Sequence, residues 1–177
     1  TAHVIAAMGR AGVKRLVHVS SFAARNPQLS DYCWSKHLAE EKVRASGLDW
    51  TILRPPAVYG PRDTEFIEVM KVARYGLMPV PPTGRASLIH VRDLAWVLVS
   101  LCGEAGAAYA GQTWEVDDGA PNGLSHIELA AAFGRALNRR VIPLPLPQGL
   151  LMLFARGDRL VRGRRAKPTK DRVRYMC

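Results

Sequence analysis

Apolar residues follow two different spacings along the chain, and each spacing predicts a type of secondary structure. Short β-branched runs predict buried parallel strands, whereas apolar residues three or four positions apart predict helices. The predicted strands span 15–21, 49–54, 87–91 and 112–116, the predicted helices span 1–10, 32–45, 64–75, 93–102, 125–137 and 148–161, and 79–84 and 141–147 are predicted to be extended. Because strands and helices alternate, we expect an α/β layered fold with a parallel sheet.

The composition is typical of a globular protein with one hydrophobic core, since 48% of the 177 residues are hydrophobic. Three cysteines without paired spacing favour a reducing compartment over a disulfide framework. Cys33 and His37 stand four positions apart, but no second pair completes a metal site, so no metal is expected. The sequence has no apolar run of about 18 residues and no secretory signal. We therefore expect a cytoplasmic protein, either free or peripheral to a membrane.

The net charge of +10 is concentrated at one end of the sequence. Residues 156–177 contain seven arginines and two lysines against two aspartates, a net charge of +7. Such a segment can meet nucleic acid, an acidic membrane surface or a protein partner. Aromatic residues are not interleaved with these charges and no nucleic-acid-binding motif is present, so specific nucleic-acid binding is not expected. A solvated arginine-rich face is the simpler interpretation, and peripheral membrane association stays open.

Tyr32 and Lys36 are the first candidates for chemistry. They stand four residues apart on a predicted helix, so their side chains share one face. A nearby cation favours the phenolate form of a tyrosine. A tyrosine tuned in this way can exchange a proton with an alcohol or a carbonyl near neutral pH. Most such pairs are ordinary surface residues, so the spacing alone does not identify a site.

Five stretches of the chain stand in an informative order. They are Gly12–Ser21, Tyr32-x-x-x-Lys36, Arg54-Pro55-x-x-Val58-Tyr59-Gly60-Pro61, Ile89-His90-Val91-x-Asp93-Leu94-Ala95 and Gln112–Val116. Together they resemble the extended and atypical branches of the short-chain dehydrogenase/reductase superfamily, the NAD-dependent epimerase/dehydratases. The resemblance covers nearly the whole chain and is specific to the superfamily, not to one activity.

The resemblance implies a fold and a division into domains. The expected fold is the C-terminal part of a Rossmann-like, doubly wound parallel sheet, accompanied by a smaller substrate-binding region. Residues 1–62 would be the C-terminal half of the NAD(P)-binding domain. Residues 63–177 would mainly bind substrate, interleaved with the last Rossmann elements at about 86–117. The implied cofactor is NAD or NADP.

The resemblance also implies roles for individual residues. Ser21, with Ser20 as the second choice, would hydrogen-bond the substrate oxygen, and Tyr32 would be the general acid/base. Lys36 would stabilise the Tyr32 phenolate and bind the nicotinamide ribose. The implied catalytic residues are Ser21, Tyr32 and Lys36, the implied cofactor-binding residues are Ser20, Tyr32, Lys36, Pro55, Ala57 and Val58, and the implied substrate-binding residues are Ser21, Tyr59 and Arg85.

The chain departs from the family pattern in lacking a Gly-x-x-Gly-x-x-Gly turn between a strand and a helix. The resemblance therefore implies that roughly the first hundred residues of such a protein are absent. The pyrophosphate-binding turn and the residue that selects NAD or NADP would be absent with them. We expect the chain alone to be inactive, and its sheet to have an exposed edge where further strands belong.

A second departure is the short connection from Ser21 to Tyr32, which resembles the atypical branch. That branch includes reductases and an NAD(P)-binding accessory subunit of respiratory complex I. Ala86 stands where nucleotide-sugar enzymes commonly carry a phosphate-binding arginine, with Arg85 beside it, so a UDP-sugar substrate is less expected. Two functions stay open. One is an NAD(P)-dependent oxidoreductase or epimerase acting on an alcohol or carbonyl substrate, and the other is a non-catalytic NAD(P)-binding accessory or assembly protein that resembles the complex I subunit and could associate with a respiratory complex. The Tyr32 helix is a candidate face for a homodimer.

Overall fold

The structure is a computed structural model that describes residues 1–64, 66–147 and 149–150. These residues divide into two compact units. The first unit comprises Thr1–Gly60 and Leu88–Asp118, and the second comprises Pro61–Ser87 and the residues from Gly119 onward. The helix expected at 148–161 and the basic segment 156–177 lie outside the described residues, apart from 149–150.

The described residues form helices and strands whose bounds follow. The helices are α1 (Ala2–Ala11), α2 (Asp31–Arg44), α3 (Phe66–Ala73), α4 (Val91–Cys102) and α5 (His126–Ala136). The strands are β1 (Arg15–Val19), β2 (Asp49–Arg54), β3 (Ala57–Tyr59), β4 (Leu77–Val80), β5 (Arg85–Ala86), β6 (Leu88–His90), β7 (Gln112–Glu115), β8 (Leu124–Ser125) and β9 (Ile142–Pro145). Short 3₁₀ helices cover Phe22–Arg25, Pro27–Leu29 and Glu104–Tyr109.

The first unit is built on a three-stranded parallel sheet in the order β1-β2-β7. Neighbouring residues of the central strand β2 point to opposite faces of the sheet, as in any strand. Leu53 packs with Leu94 and Leu101 of α4, while Arg54 bonds to Glu40 of α2. The two helices therefore cover opposite faces, as in a doubly wound sheet. The expected α/β class with parallel strands is confirmed.

A single arginine joins the amino ends of β1 and β2 to the end of α4. The Arg15 guanidinium donates to the Asp49 carboxylate at 3.1 Å and to the Thr51 hydroxyl at 2.9 Å. It also donates to the carbonyl oxygens of Leu101 at 3.0 Å and Gly106 at 2.9 Å. The planar, multi-donor guanidinium suits this task because it can bond several acceptors at fixed angles. This arginine holds the end of the sheet that lies away from the candidate site.

Strand β1 lies at an edge of this sheet, as expected. Among the described strands it pairs with β2 only. Val19 of β1 is exposed, and so are Val4 of α1 and Val13 of the turn between the two elements. No residue of α1 is buried.

A second, two-stranded parallel pair, β3 and β6, completes the first unit. Gly60 follows β3 with φ of 147°, a conformation that only glycine adopts without strain. A Cβ atom at this position would lie 2.6 Å from Cγ1 of Val91, at the start of α4. The absence of a side chain at Gly60 therefore permits β3 to end directly against α4.

The second unit combines a parallel pair, β4 with β9, and an antiparallel pair, β5 with β8. Its core contains Ala73, Met78, Val80, Ala130, Phe133 and Val141. The rings of Phe66 and Phe133 stack at 6.1 Å and join α3 to α5. Helix α5 begins with the expected capping box, in which Ser125 and Glu128 bond each other's backbone N–H groups.

The structure differs from the sequence-based elements mainly in short segments. An extended connection is expected at 79–84, but its first two residues are the end of strand β4, which tolerates Pro79. Helix α4 begins two residues earlier than expected because the His90 side chain caps it, accepting from the Arg92 N–H at 3.3 Å. The loop after Ser21 contains two 3₁₀ turns that no apolar spacing indicated. No helix within the described ranges is long and apolar enough to cross a membrane.

Candidate active site

The carboxyl ends of β1 and β2 bring two predicted site segments side by side. The Ser20 N–H donates to the Leu53 carbonyl at 2.7 Å, and the Phe22 N–H donates to the Pro55 carbonyl at 3.1 Å. These bonds extend the β1–β2 pairing beyond the strands and place Ser21 alongside the Arg54–Pro55 segment. In open α/β sheets, ligands bind outside the carboxyl ends of the strands. The position therefore suits the proposed site.

The two candidate serines have different surroundings. Ser20 is 3% exposed, and its hydroxyl donates to a Glu40 carboxylate oxygen at 2.5 Å. Ser21 caps the following 3₁₀ helix, its hydroxyl oxygen accepting the Ala23 N–H at 3.2 Å. A hydroxyl that accepts one bond still has its proton to donate. Ser21 can therefore bind a substrate oxygen, whereas the hydroxyl proton of Ser20 already serves Glu40.

Helix α2 carries the tyrosine and the lysine of the candidate site. Ser30 caps the helix, its hydroxyl accepting the Cys33 N–H at 3.2 Å. Tyr32 lies in the first turn and is 43% exposed, and Lys36 lies one turn later. The Lys36 ammonium nitrogen is 5.8 Å from the centre of the Tyr32 ring. The structure thus places both side chains on the same side of the helix, with the cation beside the phenol.

One turn beyond Lys36, the carboxylate of Glu40 is completely buried. Arg54 binds it with two parallel bonds, Nε to Oε1 at 2.9 Å and an Nη to Oε2 at 2.7 Å. Arg44 donates to Oε2 at 2.8 Å, and Ser20 donates to Oε1. Each carboxylate oxygen therefore accepts two hydrogen bonds, which is what a buried charge requires.

These bonds determine the ionisation of Glu40. Burial acts to raise the pKa of Glu40, but the hydrogen bonds from Arg54, Ser20 and Arg44 outweigh it and lower the pKa to about 2. The same bond to Glu40 raises the pKa of Arg54. The pair is therefore fully charged at every pH at which the protein would be assayed.

Arg54 extends the network to the third strand of the sheet. It lies 3.7 Å from the Glu115 carboxylate of β7, and Glu115 also forms an ion pair with Arg25. Arg54 and Glu115 are register partners at the ends of β2 and β7. Charged side chains thus connect α2 with the ends of β2 and β7 at the carboxyl edge of the sheet.

His18 of β1 lies near two charges of α2. Burial lowers the pKa of His18, the charge of Lys36 lowers it further, and the Glu40 carboxylate acts in the opposite direction. The Nε2 atom of His18 is buried without a hydrogen-bond partner among the described residues. Burial and the charge of Lys36 therefore both act against protonation of the imidazole.

A histidine with a depressed pKa makes stability depend on pH. The unfolded chain binds a proton near pH 6.5 and the folded chain resists it, so the stability from His18 is present above about pH 6.5 and is lost at lower pH. We expect His18→Gln to flatten the fall in unfolding free energy between about pH 7.5 and 5.5, measured by urea titration. His3→Gln, at an exposed position, is the control and should keep the wild-type slope. An unchanged slope in His18→Gln would contradict this assignment.

The remaining cofactor candidates follow β2. Pro55 is buried, whereas Ala57 is exposed on β3, and Val58 packs against the core beside α4. Tyr59 contacts the ring of His90 edge-on at 5.2 Å. This segment, Ser21 and the Tyr32–Lys36 pair offer hydroxyl groups, one ammonium group and an accessible backbone. Those groups fit a nicotinamide and its ribose, because the ammonium and hydroxyl donors match the hydroxyl and carbonyl groups of that ligand.

Arg85, the predicted substrate-binding arginine, belongs to the second unit. It donates to the carbonyl oxygens of Asn122 at 2.9 Å and Gly123 at 2.7 Å and pairs with Glu128 at 3.3 Å. These bonds hold β5 against the turn before β8. The side chain is therefore engaged in the structure of its own unit, and its role toward substrate stays a prediction.

Sequence reasoning missed Glu40 and His18. Charged residues of a helix usually face solvent, so Glu40 had no reason to stand out from Glu41 beside it. One signal was available: Glu40 follows Tyr32 and Lys36 at the same four-residue spacing. His18 lies in a strand that only its apolar neighbours predict.

Comparison with known protein families identifies the family to which this chain belongs. The family model described as NAD(P)H-binding matches residues 1–103, more than half of the chain. The chain belongs to the NAD(P)H-binding family. The predicted NAD(P)-binding character of the chain and the predicted NAD or NADP cofactor are confirmed.

One curated relative is a ceramide reductase of Caulobacter vibrioides. It is 45% identical to this chain over 103 residues, which are 57% of this chain and 32% of the relative. This member of the NAD(P)H-binding family therefore spans about a third of the relative it matches.

Solved structures of similar fold include a nucleoside-diphosphate-sugar epimerase from Staphylococcus aureus. Its TM-score is 0.71 at 20% identity, over 98% of this chain and 58% of that one. MoeE5, solved in complex with UDP-glucose and NAD, has a TM-score of 0.64 at 21% identity, over 81% of this chain and 55% of that one. These identities support the fold alone. The chain spans just over half the length of both proteins.

Proposed function

We propose that this protein is an NAD(P)-dependent reductase acting on a carbonyl group of a ceramide-type lipid. The observation that carries the proposal is the 45% identity over 103 residues to a protein named ceramide reductase. The NAD(P)H-binding family model supports the cofactor. We prefer reduction to epimerisation because the epimerase from Staphylococcus aureus is similar to this chain in fold only, at 20% sequence identity. Since the chain spans 32% of the curated relative, the activity of the whole protein is a proposal.

In the proposed reaction, bound NAD(P)H supplies a hydride to the carbonyl carbon. The Tyr32 hydroxyl donates its proton to the carbonyl oxygen, which gives the alcohol and leaves a phenolate. Lys36, 5.8 Å from the Tyr32 ring centre, stabilises that negative charge. The Ser21 hydroxyl donates a hydrogen bond to the same oxygen and orients the carbonyl. The phenolate then regains a proton from solvent.

The exposure of Tyr32 supports its role as proton donor. A side chain that exchanges protons with a ligand and with water must be reached by both, and Tyr32 is 43% exposed. Lys36 forms no salt bridge with any residue in the described ranges. Its charge is therefore available to Tyr32 and to a ribose hydroxyl.

The proposal is tested by following NAD(P)H absorbance at 340 nm with the complete protein and a panel of substrates. We expect consumption of NAD(P)H with a ceramide-type lipid that carries a ketone, and none with the lipid that carries the corresponding alcohol. UDP-glucose is the control substrate for the epimerase alternative. Interconversion of UDP-sugars without net consumption of NAD(P)H, and no consumption with the ketone, would contradict the proposal.

A non-catalytic NAD(P)-binding accessory protein is the second candidate. It is favoured by the short connection from Ser21 to Tyr32, which resembles the branch that includes such an accessory subunit. In that case the Tyr32–Lys36 pair would only bind the ribose. Tight binding of NAD(P)H without turnover of any carbonyl, together with salt-sensitive retention on membranes, would favour this candidate over the reductase.

A further inference from the structure

Three residues of α2 form one stripe along the helix, here called the α2 stripe: Tyr32, Lys36 and Glu40. They stand four residues apart, so each lies nearly above the last. Their exposure decreases along the stripe, from 43% at Tyr32, through a half-buried Lys36, to 0% at Glu40. The candidate catalytic groups thus lie at the open end of the stripe, and its closed end is fixed inside the protein.

The closed end is fixed to both strands that carry the rest of the candidate site. The Glu40 carboxylate accepts from Ser20 at the end of β1 at 2.5 Å, and from Arg54 at the end of β2 at 2.7 and 2.9 Å. Ser20 directly precedes Ser21, and Arg54 directly precedes Pro55. One carboxylate therefore fixes the helix that carries Tyr32 and Lys36 relative to the two strand ends that carry Ser21 and Pro55.

We propose that Glu40 is a positioning residue for the proposed reduction: its buried carboxylate holds the α2 stripe at a fixed rotation and height over the ends of β1 and β2. The inference rests on the proposed function, because Tyr32 and Lys36 need fixed positions only if they take part in that reaction. Glu40 itself touches neither substrate nor cofactor and acts through Tyr32, Lys36 and Ser21.

The bonding pattern favours positioning over general stabilisation. Compared with apolar packing, a buried ion pair adds little net stability, because desolvation offsets its attraction. The two parallel bonds between Arg54 and the Glu40 carboxylate, in contrast, fix direction as well as distance. Catalytic groups must be held within about 0.5 Å of their productive places. A helix that packs by apolar contacts alone can rotate or slide more easily than one held by the three directed bonds from Ser20 and Arg54.

The first experiment compares Glu40→Gln with Glu41→Gln in the complete protein. Gln has the size of Glu, but it is uncharged and has only one side-chain oxygen. It cannot accept both bonds from Arg54, so the α2 stripe is no longer fixed to the strand ends. Glu41 is the matched control because it is adjacent and exposed, and among the described residues its carboxylate bonds to Arg44 alone. We expect Glu40→Gln to lower kcat by about 10- to 100-fold and to leave KM for NAD(P)H within about 3-fold. Glu41→Gln should keep the wild-type values.

A second variant keeps the test decisive if Glu40→Gln does not fold. Glu40→Asp retains the buried charge but is one methylene shorter, so its carboxylate keeps its bonds to Ser20 and Arg54 only by drawing α2 toward the strand ends. The ion pair is then preserved while Tyr32 and Lys36 are displaced. We expect a Tm close to that of the wild type with kcat lowered about 10-fold or more. Without cofactor, hydrogen–deuterium exchange of the first turn of α2, residues 31–34, should be faster than in the wild type.

The outcomes separate this inference from the proposed function. Wild-type kcat in folded Glu40→Asp or Glu40→Gln, with only a lower Tm, would overturn the positioning role and make Glu40 a stabilising residue. Equal losses in kcat and cofactor affinity would also overturn it, since they indicate a general loss of structure. If Tyr32→Phe retains full activity, the proposed function itself fails, whatever the Glu40 variants do.

Discussion

Tyr32→Phe should lower the kcat for carbonyl reduction by about 10²- to 10⁴-fold, the usual contribution of a positioned proton donor. The change removes one hydroxyl group and keeps the ring, so the contact with Lys36 and the packing of α2 remain. The dissociation constant of NAD(P)H should change by no more than about 3-fold, because the ring and Lys36 are still present. Steady-state kinetics and a fluorescence titration of NAD(P)H measure the two quantities.

Tyr75→Phe is the matched control for this prediction. Tyr75 is 79% exposed in the second unit, where its ring contacts Arg74. The same loss of a hydroxyl should leave kcat unchanged there. Residual turnover in Tyr32→Phe above a tenth of the wild-type rate would contradict the assignment of Tyr32 as proton donor.

Arg54→Met should destabilise the protein by about 3–5 kcal/mol, because it leaves the Glu40 carboxylate buried without its main partner. Arg54 supplies two of the four bonds to that carboxylate. For a protein of this size the loss corresponds to a fall in Tm of roughly 6–20 °C. Urea unfolding at pH 7 measures the free energy. Arg92→Met, at an exposed position on α4, is the control and should cost less than about 1 kcal/mol.

A second replacement tests whether the unpaired charge is the cause. In Arg54→Met with Glu40→Leu, both charges are gone, and most of the lost stability should return. The pH dependence gives an independent check. The lowered pKa of Glu40, about 2, contributes stability that is present above about pH 4.5 and is lost as the pH falls toward 2. That loss should be weaker in Arg54→Met. A stable single variant at pH 7 would contradict the role of the ion pair.

The parts of the fold that depend on local spacing could be predicted from the sequence. The sequence predicts a strand at 49–54, and these residues form β2. A short run of β-branched and apolar side chains is typical of a strand buried inside a parallel sheet. The capping box of Ser125 and Glu128 needs only residues three apart, and it forms. The short spacing of Tyr32 and Lys36 likewise predicted a shared helix face.

The parts that depend on distant partners could not be predicted. Glu40 is buried where α2 packs on the sheet, and it bonds there to Arg54 and Ser20, which are 14 and 20 residues away in the sequence. Within the helix, only its four-residue spacing from Lys36 distinguishes it from Glu41. The parallel pairing of β4 with β9 joins residues more than sixty positions apart. Both segments contain prolines, which indicate extended backbone but do not indicate that the two segments pair. The hydrogen bonds around Glu40 and the pairing of β4 with β9 therefore both depend on contacts that local spacing does not indicate.

The measurement that tests the proposed function most directly is the mass of the product formed from NAD(P)H carrying deuterium at both C4 positions. With the complete wild-type protein and a ketone-bearing ceramide-type lipid, we expect one deuterium on the carbon that was the carbonyl. Tyr32→Phe should form at least about 100-fold less of this product in the same time. A product without deuterium, or the same amount of labelled product from Tyr32→Phe, would contradict hydride transfer assisted by Tyr32.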